Sequence, residues 1–239
     1  MKKQKSRRSG AKFILLFLAV CLISTAGLFF SDCTVSDTFT EQPQPDTAAQ
    51  NTQPVTTGFT DFAGRELLTG GVIDIVYYNQ SEEPWKDMKF ATDPLSSHGC
   101  GPTVMAMAVS SLTSQTIDPS EMAQWASDQG YGAPGEGAYH TIVEGTASAF
   151  GLEAKVLKID TADELRLELA SGKIFVALMS KGHFTNSGHF ILLRGLTLDG
   201  DVLVADPNSR ERSLAAWDPQ LVLDEAKSDF WELSPAPQN

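Results

Sequence analysis

The sequence predicts an α+β fold, a helical half followed by a half of antiparallel strands. Three observations carry this reading. Four segments between residues 100 and 171 read as helices with start and stop signals at their ends. Three segments between residues 174 and 206 are rich in β-branched and large apolar residues and read as strands. Asp199-Gly200 lies between the last two, and an Asp-Gly pair between apolar runs signals a hairpin, hence antiparallel pairing. Helices first and antiparallel strands later is the α+β order.

The elements follow in turn. Val72–Tyr78 (VIDIVYY) is a β-branched and aromatic run, a strand. Asn79–Pro94 reads as loop, with Trp85 inside it. Cys100–Thr113 reads as a helix with Met105, Val109 and Leu112 on one stripe. Asp118-Pro119-Ser120-Glu121 offers a capping acid, proline at the first helical position and glutamate at the third. A second helix therefore begins there, carrying Met122, Trp125 and Ala126. Gly130–Gly137 is a glycine-rich loop. Tyr139–Phe150 reads as a third helix closed by Gly151, and Thr161–Ser171 as a fourth stopped by Gly172. The strand candidates are Ile174–Met179, His189–Leu198 and Val202–Asp206.

The whole chain of 239 residues carries 18 basic and 30 acidic side chains, a net charge of −12. That acidic balance argues against nucleic acid, whose phosphates need a basic surface. Three cysteines exclude a disulfide framework, and their spacing suits no four-ligand zinc site. Six Lys or Arg and no acid fall within residues 1–12, ahead of an uncharged run from Phe13 to Phe30. A basic flank stays in the cytoplasm, so the C-terminal bulk is expected to be exported.

Two readings of residues 1–30 compete. Phe13–Ile23 is the apolar core of a signal peptide, with Ser24 and Ala26 before the cleavage point. Alternatively the run continues through Gly27–Phe30 as a signal anchor, a single transmembrane helix, which Leu28, Phe29 and Phe30 favour. Neither cysteine of this region makes a lipoprotein box, because Cys21 follows Val20 and Cys33 follows Asp32. The expected location is the bacterial cell envelope, on its extracytoplasmic face, membrane-anchored or secreted. Residues 31–68 read as a flexible linker rich in Thr, Gln, Asp and Pro, too polar to bury much surface. Within it Phe59–Leu68 is ambiguous, with a short helix at the domain edge as one reading. Residues 69–239 suffice for one well-buried domain.

Four positions carry chemistry. Cys100 lies at the start of a helix, where unpaired N–H groups and the helix dipole favour a thiolate. Gly99 and Gly101 beside it leave room for a substrate backbone. A buried structural thiol fits the same segment. A nucleophilic cysteine needs a base, and the histidines are His98, His140, His183 and His189. His189 opens a core strand, fixed by it yet reachable, which suits a general base. His98 reads as a cap or a cleft residue, and His183 and His140 read as surface.

Asp206 ends the next strand and is the candidate orienter of that base, with Asn208 as the alternative and a turn-forming role before Pro207 as the bland reading. A two-residue turn at Asp199-Gly200 would set Asp206 opposite Leu193, about 13 Å along the strand from His189 at ~3.3 Å per residue. A wider or bulged hairpin is therefore needed for the two to meet. Gln80, twenty residues before Cys100, can supply a side-chain N–H to an oxyanion, and locally it reads equally as a loop glutamine.

Together these residues resemble a known family. Tyr77-Tyr78-Asn79-Gln80, Trp85, Gly99-Cys100-Gly101-Pro102-Thr103, Gly188-His189-Phe190 and Asp206-Pro207 look like the cysteine peptidases related to bacteriocin-processing leader peptidases, family C thirty-nine-like of the papain-like clan. The resemblance spans about Val72 to Leu233. It implies a papain-like fold, with the helical half packed on the antiparallel sheet. It also implies Cys100 as nucleophile, His189 as base, Asp206 as orienter and Gln80 as oxyanion donor. The chain shows no transporter or ATP-binding motif, and Gln80 lies further before the cysteine than in the processing enzymes. Cleavage after a double glycine is therefore not implied.

The leading expectation is an extracytoplasmic thiol peptidase or amidohydrolase that forms a thioester at Cys100 and needs no metal or cofactor. Its partners would be a peptide or protein substrate and, through the N-terminal helix, the membrane. The alternatives are an inactive peptide-binding module of the same fold, or an acyl or peptidyl transferase in which an amine replaces water.

Overall fold

A hairpin opens the computed structural model, which describes residues 56–237. Strands β1 (Gly58–Phe62) and β2 (Arg65–Thr69) pair antiparallel around Ala63-Gly64, both with positive φ. Two such residues make the tight turn whose twist matches a hairpin. The helix considered for Phe59–Leu68 is thus a β-hairpin, and Leu68 is fully buried in the core. The end of the stretch read as linker is therefore folded. Of the strand expected over Val72–Tyr78, only β3 (Ile75–Val76) pairs, with β2. The signal or anchor segment and the first part of the linker lie outside the described residues. Among the described residues no helix is long and apolar enough to cross a membrane.

The region expected as loop holds a two-residue ladder, β4 (Lys89–Phe90) with β5 (Asp93–Pro94), and runs into α1 (Leu95–His98). Helix α2 (Cys100–Leu112) follows one residue later. It is buried on all sides from Gly101 to Ser110, so the one-sided stripe of the sequence reading is too narrow. A helix apolar all round belongs inside, and α2 packs against α3, α4, β3 and β10. Gly99 and Gly101 serve this packing. A Cβ on Gly99 would lie 2.4 Å from the Leu95 side chain, and one on Gly101 would lie 2.7 Å from Ala138 Cβ. The space they leave is filled by the protein itself rather than kept for a substrate.

Helix α3 (Pro119–Asp128) starts where expected, with Asp118 and Glu121 forming a full capping box. The glycine-rich loop closes as a small hairpin of β6 (Gly132–Ala133) and β7 (Gly137–Ala138). Helix α4 (Ile142–Ala149) starts three residues later than expected, because Tyr139 N–H is held by Tyr131 C=O at 2.9 Å. β8 (Leu152–Leu157) follows, and α5 (Ala162–Ala170) is capped by Thr161. The last stretch contains β9 (Ile174–Met179), β10 (His189–Leu196), β11 (Val202–Ala205), α6 (Arg210–Leu214), β12 (Ala216–Trp217), α7 (Pro219–Glu225) and β13 (Phe230–Pro235).

These strands form one six-stranded antiparallel sheet in the order β12-β11-β10-β9-β13-β8. The expected α+β order, helical half then antiparallel sheet, is the order observed. Both sheet faces are covered. Val176, Leu178, Phe190 and Leu192 join the core with α2, α3 and α4. Phe175, Ala177, Ile191 and Leu193 join a second core with α5 and α7. Strands buried on both faces read as unbroken apolar runs, and β9 and β10 do so.

Candidate active site

The site is built by a slip in one hairpin. The turn between β10 and β11 is the three-residue loop Leu198-Asp199-Gly200, closed by Thr197 N–H to Asp201 C=O at 2.8 Å. Gly200 takes φ 86°, as the last residue of such a loop does. Beyond it Leu196 faces Val202 and Gly195 faces Leu203. Arg194 then bulges, so that Leu193 faces Val204 and Leu192 faces Ala205. Without the bulge Asp206 would align with Leu192 and turn to the other face. With it, Asp206 aligns with Ile191, on the face of His189 and two residues away. A one-residue shift exchanges the faces of a strand, which is why the bulge matters. The sequence required a wider loop or a bulge, and the hairpin has both.

Asp206 Oδ1 is 2.8 Å from His189 Nε2, and both side chains are buried. The same oxygen accepts the Asn208 N–H at 2.8 Å. Asn208 turns its own side chain away, where Ser81 Oγ donates to its Oδ1 at 2.7 Å. Of the two candidate orienters, Asp206 is the one that touches the histidine. Its main chain is fixed as well. Tyr77 donates its hydroxyl to Asp206 C=O at 2.9 Å, and Asp206 N–H donates to Ser213 Oγ at 2.9 Å.

His189 also interacts with Cys100, and since Nε2 serves Asp206, Nδ1 is the nitrogen left to face the thiol. Burial alone would lower the His189 pKa, but the bond to Asp206 and the interaction with Cys100 outweigh it and raise the value to about 9. Burial pushes the Cys100 thiol up, and the His189 hydrogen bond and charge, with main-chain bonds from Phe190 and Gly101, bring it below its ordinary value. Asp206 behaves alike: burial pushes it up, and His189 and then Arg212 hold it below the usual carboxylate range. The arrangement favours a thiolate–imidazolium pair.

Cys100 opens α2 at the wall of a cleft of about 410 Å³ that is also lined by Ser97, His98, Gly137, His140 and Lys227. His98 lines this cleft, its Nδ1 2.8 Å from Ser97 Oγ, and His140 joins it. His183 is elsewhere, paired through Nδ1 with Glu225 at 2.5 Å. Gln80 is buried against the turn before Cys100. Its Nε2 donates to Leu95 C=O and Ser96 C=O, both at 3.1 Å, and its N–H donates to Pro207 C=O at 2.7 Å. Gln80 thus ties the turn before Cys100 to the Asp206 loop, with both side-chain N–H groups engaged. Sequence reasoning missed Arg212, whose Nε donates to Asp206 Oδ2 at 2.5 Å. Its signal was the Ser209 cap, which turns the chain straight back after Asp206-Pro207.

The family model described as Peptidase C39 like family matches residues 72–233. Among solved structures, the chain is similar to the peptidase domain of Streptococcus ComA, a bi-functional ABC transporter involved in a quorum sensing pathway. Identity there is 16 %, with a TM-score of 0.44 over 58 % of this chain and 93 % of that one. A chain described as a C39-like peptidase from Bacillus anthracis is similar at 15 % identity, with a TM-score of 0.42 over 67 % of this chain and 95 % of that one. A search of curated protein sequences finds no match. With its family match running from just after β2 into the last strand, over more than half of its length, this chain belongs to the peptidase C39-like family.

Proposed function

We propose that the protein is a thiol peptidase or amidohydrolase whose machinery is Cys100, His189, Asp206 and Gln80. The observation that carries this reading is His189 buried between Asp206 and Cys100. Cys100 Sγ attacks the substrate carbonyl carbon. The oxyanion is met by the Cys100 N–H and by Gln80 Nε2, which gives up one of its two 3.1 Å bonds to do so. His189 passes its proton to the leaving amine, and a thioester remains on Cys100. His189 then takes a proton from water, whose oxygen attacks the thioester and releases the acid and the thiolate. Asp206 holds the ring in one tautomer throughout.

The substrate class is a peptide or related amide, on the extracytoplasmic face of the envelope. The basic flank and uncharged run of residues 1–30 support that location. A peptide library digested by the full-length protein and read by mass spectrometry tests the reading. New termini with the wild type, absent with Cys100→Ala and with His189→Ala, are expected. Cleavage undiminished in Cys100→Ala would refute it.

A further inference from the structure

Asp206 has two carboxylate oxygens, and each faces its own cation. Oδ1 faces His189 and Oδ2 takes the Arg212 Nε–H at 2.5 Å. The carboxylate has no solvent exposure, and the Arg212 side chain keeps about a quarter of its own, 26 %. Arg212 is not among the residues lining the cleft that holds Cys100. It is held in place on both sides: its N–H donates to Ser209 Oγ at 3.1 Å, and its C=O accepts Trp217 Nε1–H at 3.0 Å. The same short helix supplies Ser213, which binds the Asp206 N–H.

We infer that Arg212 is a positioning residue that keeps the shared proton on His189 rather than on Asp206. The inference rests on the proposed roles of Cys100, His189 and Asp206. A dry carboxylate beside one imidazole has an easy escape: it takes the proton, and both groups become neutral. The cost of burying a charge drives that escape. A guanidinium on the outer oxygen closes it, because it never loses its charge. The competition arises while His189 is an imidazolium; after His189 has given its Nδ1 proton to a leaving amine, the Nε2 proton stays on the neutral ring. Asp206 then faces a neutral ring, and Arg212 is its remaining cation.

The other charged and titratable groups around Asp206 are accounted for. Tyr77 approaches through its hydroxyl at the Asp206 C=O, and burial holds that phenol protonated. Arg210 stands over the Tyr77 ring and is closed by Glu66 and Glu82. Arg194 reaches Ser213 C=O from β10 and donates otherwise to Val204 C=O and Thr69 C=O. None of these touches the Asp206 carboxylate.

The test is the pH dependence of iodoacetamide addition to Cys100 in the full-length chain, read at the Cys100 peptide by mass spectrometry. Removing the Arg212 charge lets Asp206 take the proton, so the imidazolium that lowers the thiol is lost. In Arg212→Gln the midpoint is expected to rise by about half a pH unit or more, the lower part of what one nearby charge does to a pKa. Arg212→Lys, which keeps the charge, is expected to stay at the wild-type midpoint. In Asp206→Asn the further change Arg212→Gln is expected to add nothing, because Arg212 acts through Asp206.

A folded Arg212→Gln protein with the wild-type midpoint would overturn the inference while leaving the triad reading intact. So would an additive shift in the Asp206→Asn background. If Arg212→Gln does not fold, Arg212→Lys decides: a midpoint displaced from wild type overturns the inference. A wild-type midpoint in the free-thiol range would instead remove the triad reading and the inference with it.

Discussion

Arg194 is the extra residue that brings Asp206 onto the face of His189. The bulge it forms is held by its own side chain, which is fully buried and donates to Val204 C=O at 3.0 Å and Thr69 C=O at 3.0 Å. Gly195 beside it takes φ 140°, and Val72 N–H closes on Arg194 C=O at 2.8 Å. Burial lowers the guanidinium pKa to about 10. Register, buried charge and the approach of Asp206 to His189 are thus one feature.

Arg194→Met is therefore expected to damage stability and site together. It strands buried carbonyls that the arginine now satisfies, at a cost of about 3 kcal/mol. Urea denaturation reads the first effect, and a Cys100 alkylation curve moved toward that of an ordinary thiol reads the second.

Asp206→Asn removes the carboxylate whose hydrogen bond most strongly counters burial at His189. The wild-type imidazolium lasts until the pH passes about 9. In the variant it is expected to be lost at or below the ordinary histidine value, near 6.5. Iodoacetate, an anion drawn by the imidazolium, reports this: with wild type it reacts fast below neutrality and slows as the pH passes about 9, whereas with the variant it stays slow through neutrality, where neither imidazolium nor thiolate is abundant.

Gln80→Ala separates binding of the oxyanion from activation of the thiol. Hydrolysis of any cleaved peptide is expected to drop about 100-fold, the usual effect of losing one oxyanion donor. Iodoacetamide addition has no oxyanion and is expected to keep its pH midpoint.

Gly99→Ala places a Cβ 2.5 Å from Leu95 C=O, a main-chain atom that cannot move aside cheaply. A loss of about 1–3 kcal/mol is expected, as for other overpacked sites. Removal of residues 1–68 should also lower the melting temperature below that reached by removal of 1–55. The difference is the β1–β2 hairpin, which carries buried Leu68 and the Glu66–Arg210 ion pair. Thermal unfolding measures both.

What the sequence made legible was local. Asp118 to Glu121 spells a capping box in four residues, and the box is there. Ile174–Met179 is an uninterrupted apolar run and forms the strand as read. β8 was missed because it is an edge strand that alternates buried and charged residues, and β13 because its place between β9 and β8 is set only by long-range pairing. The pairing of His189 with Asp206 was legible in parity but not in distance, since the slip at Arg194 leaves no mark that a single sequence shows. Arg212 is harder to read for a similar reason: the Ser209 cap marks the turn, but the contact depends on that turn folding back on Asp206.

The most direct test of the central claim is the rate of Cys100 alkylation by iodoacetamide against pH, in the wild type and in His189→Ala. In the wild type, fast addition that persists well below the free-thiol value of about 8.5 is expected. In the variant, where burial acts on the thiol without the imidazolium, the midpoint is expected at or above that value. A wild-type curve rising only near 8.5, and unmoved by His189→Ala, would contradict the claim.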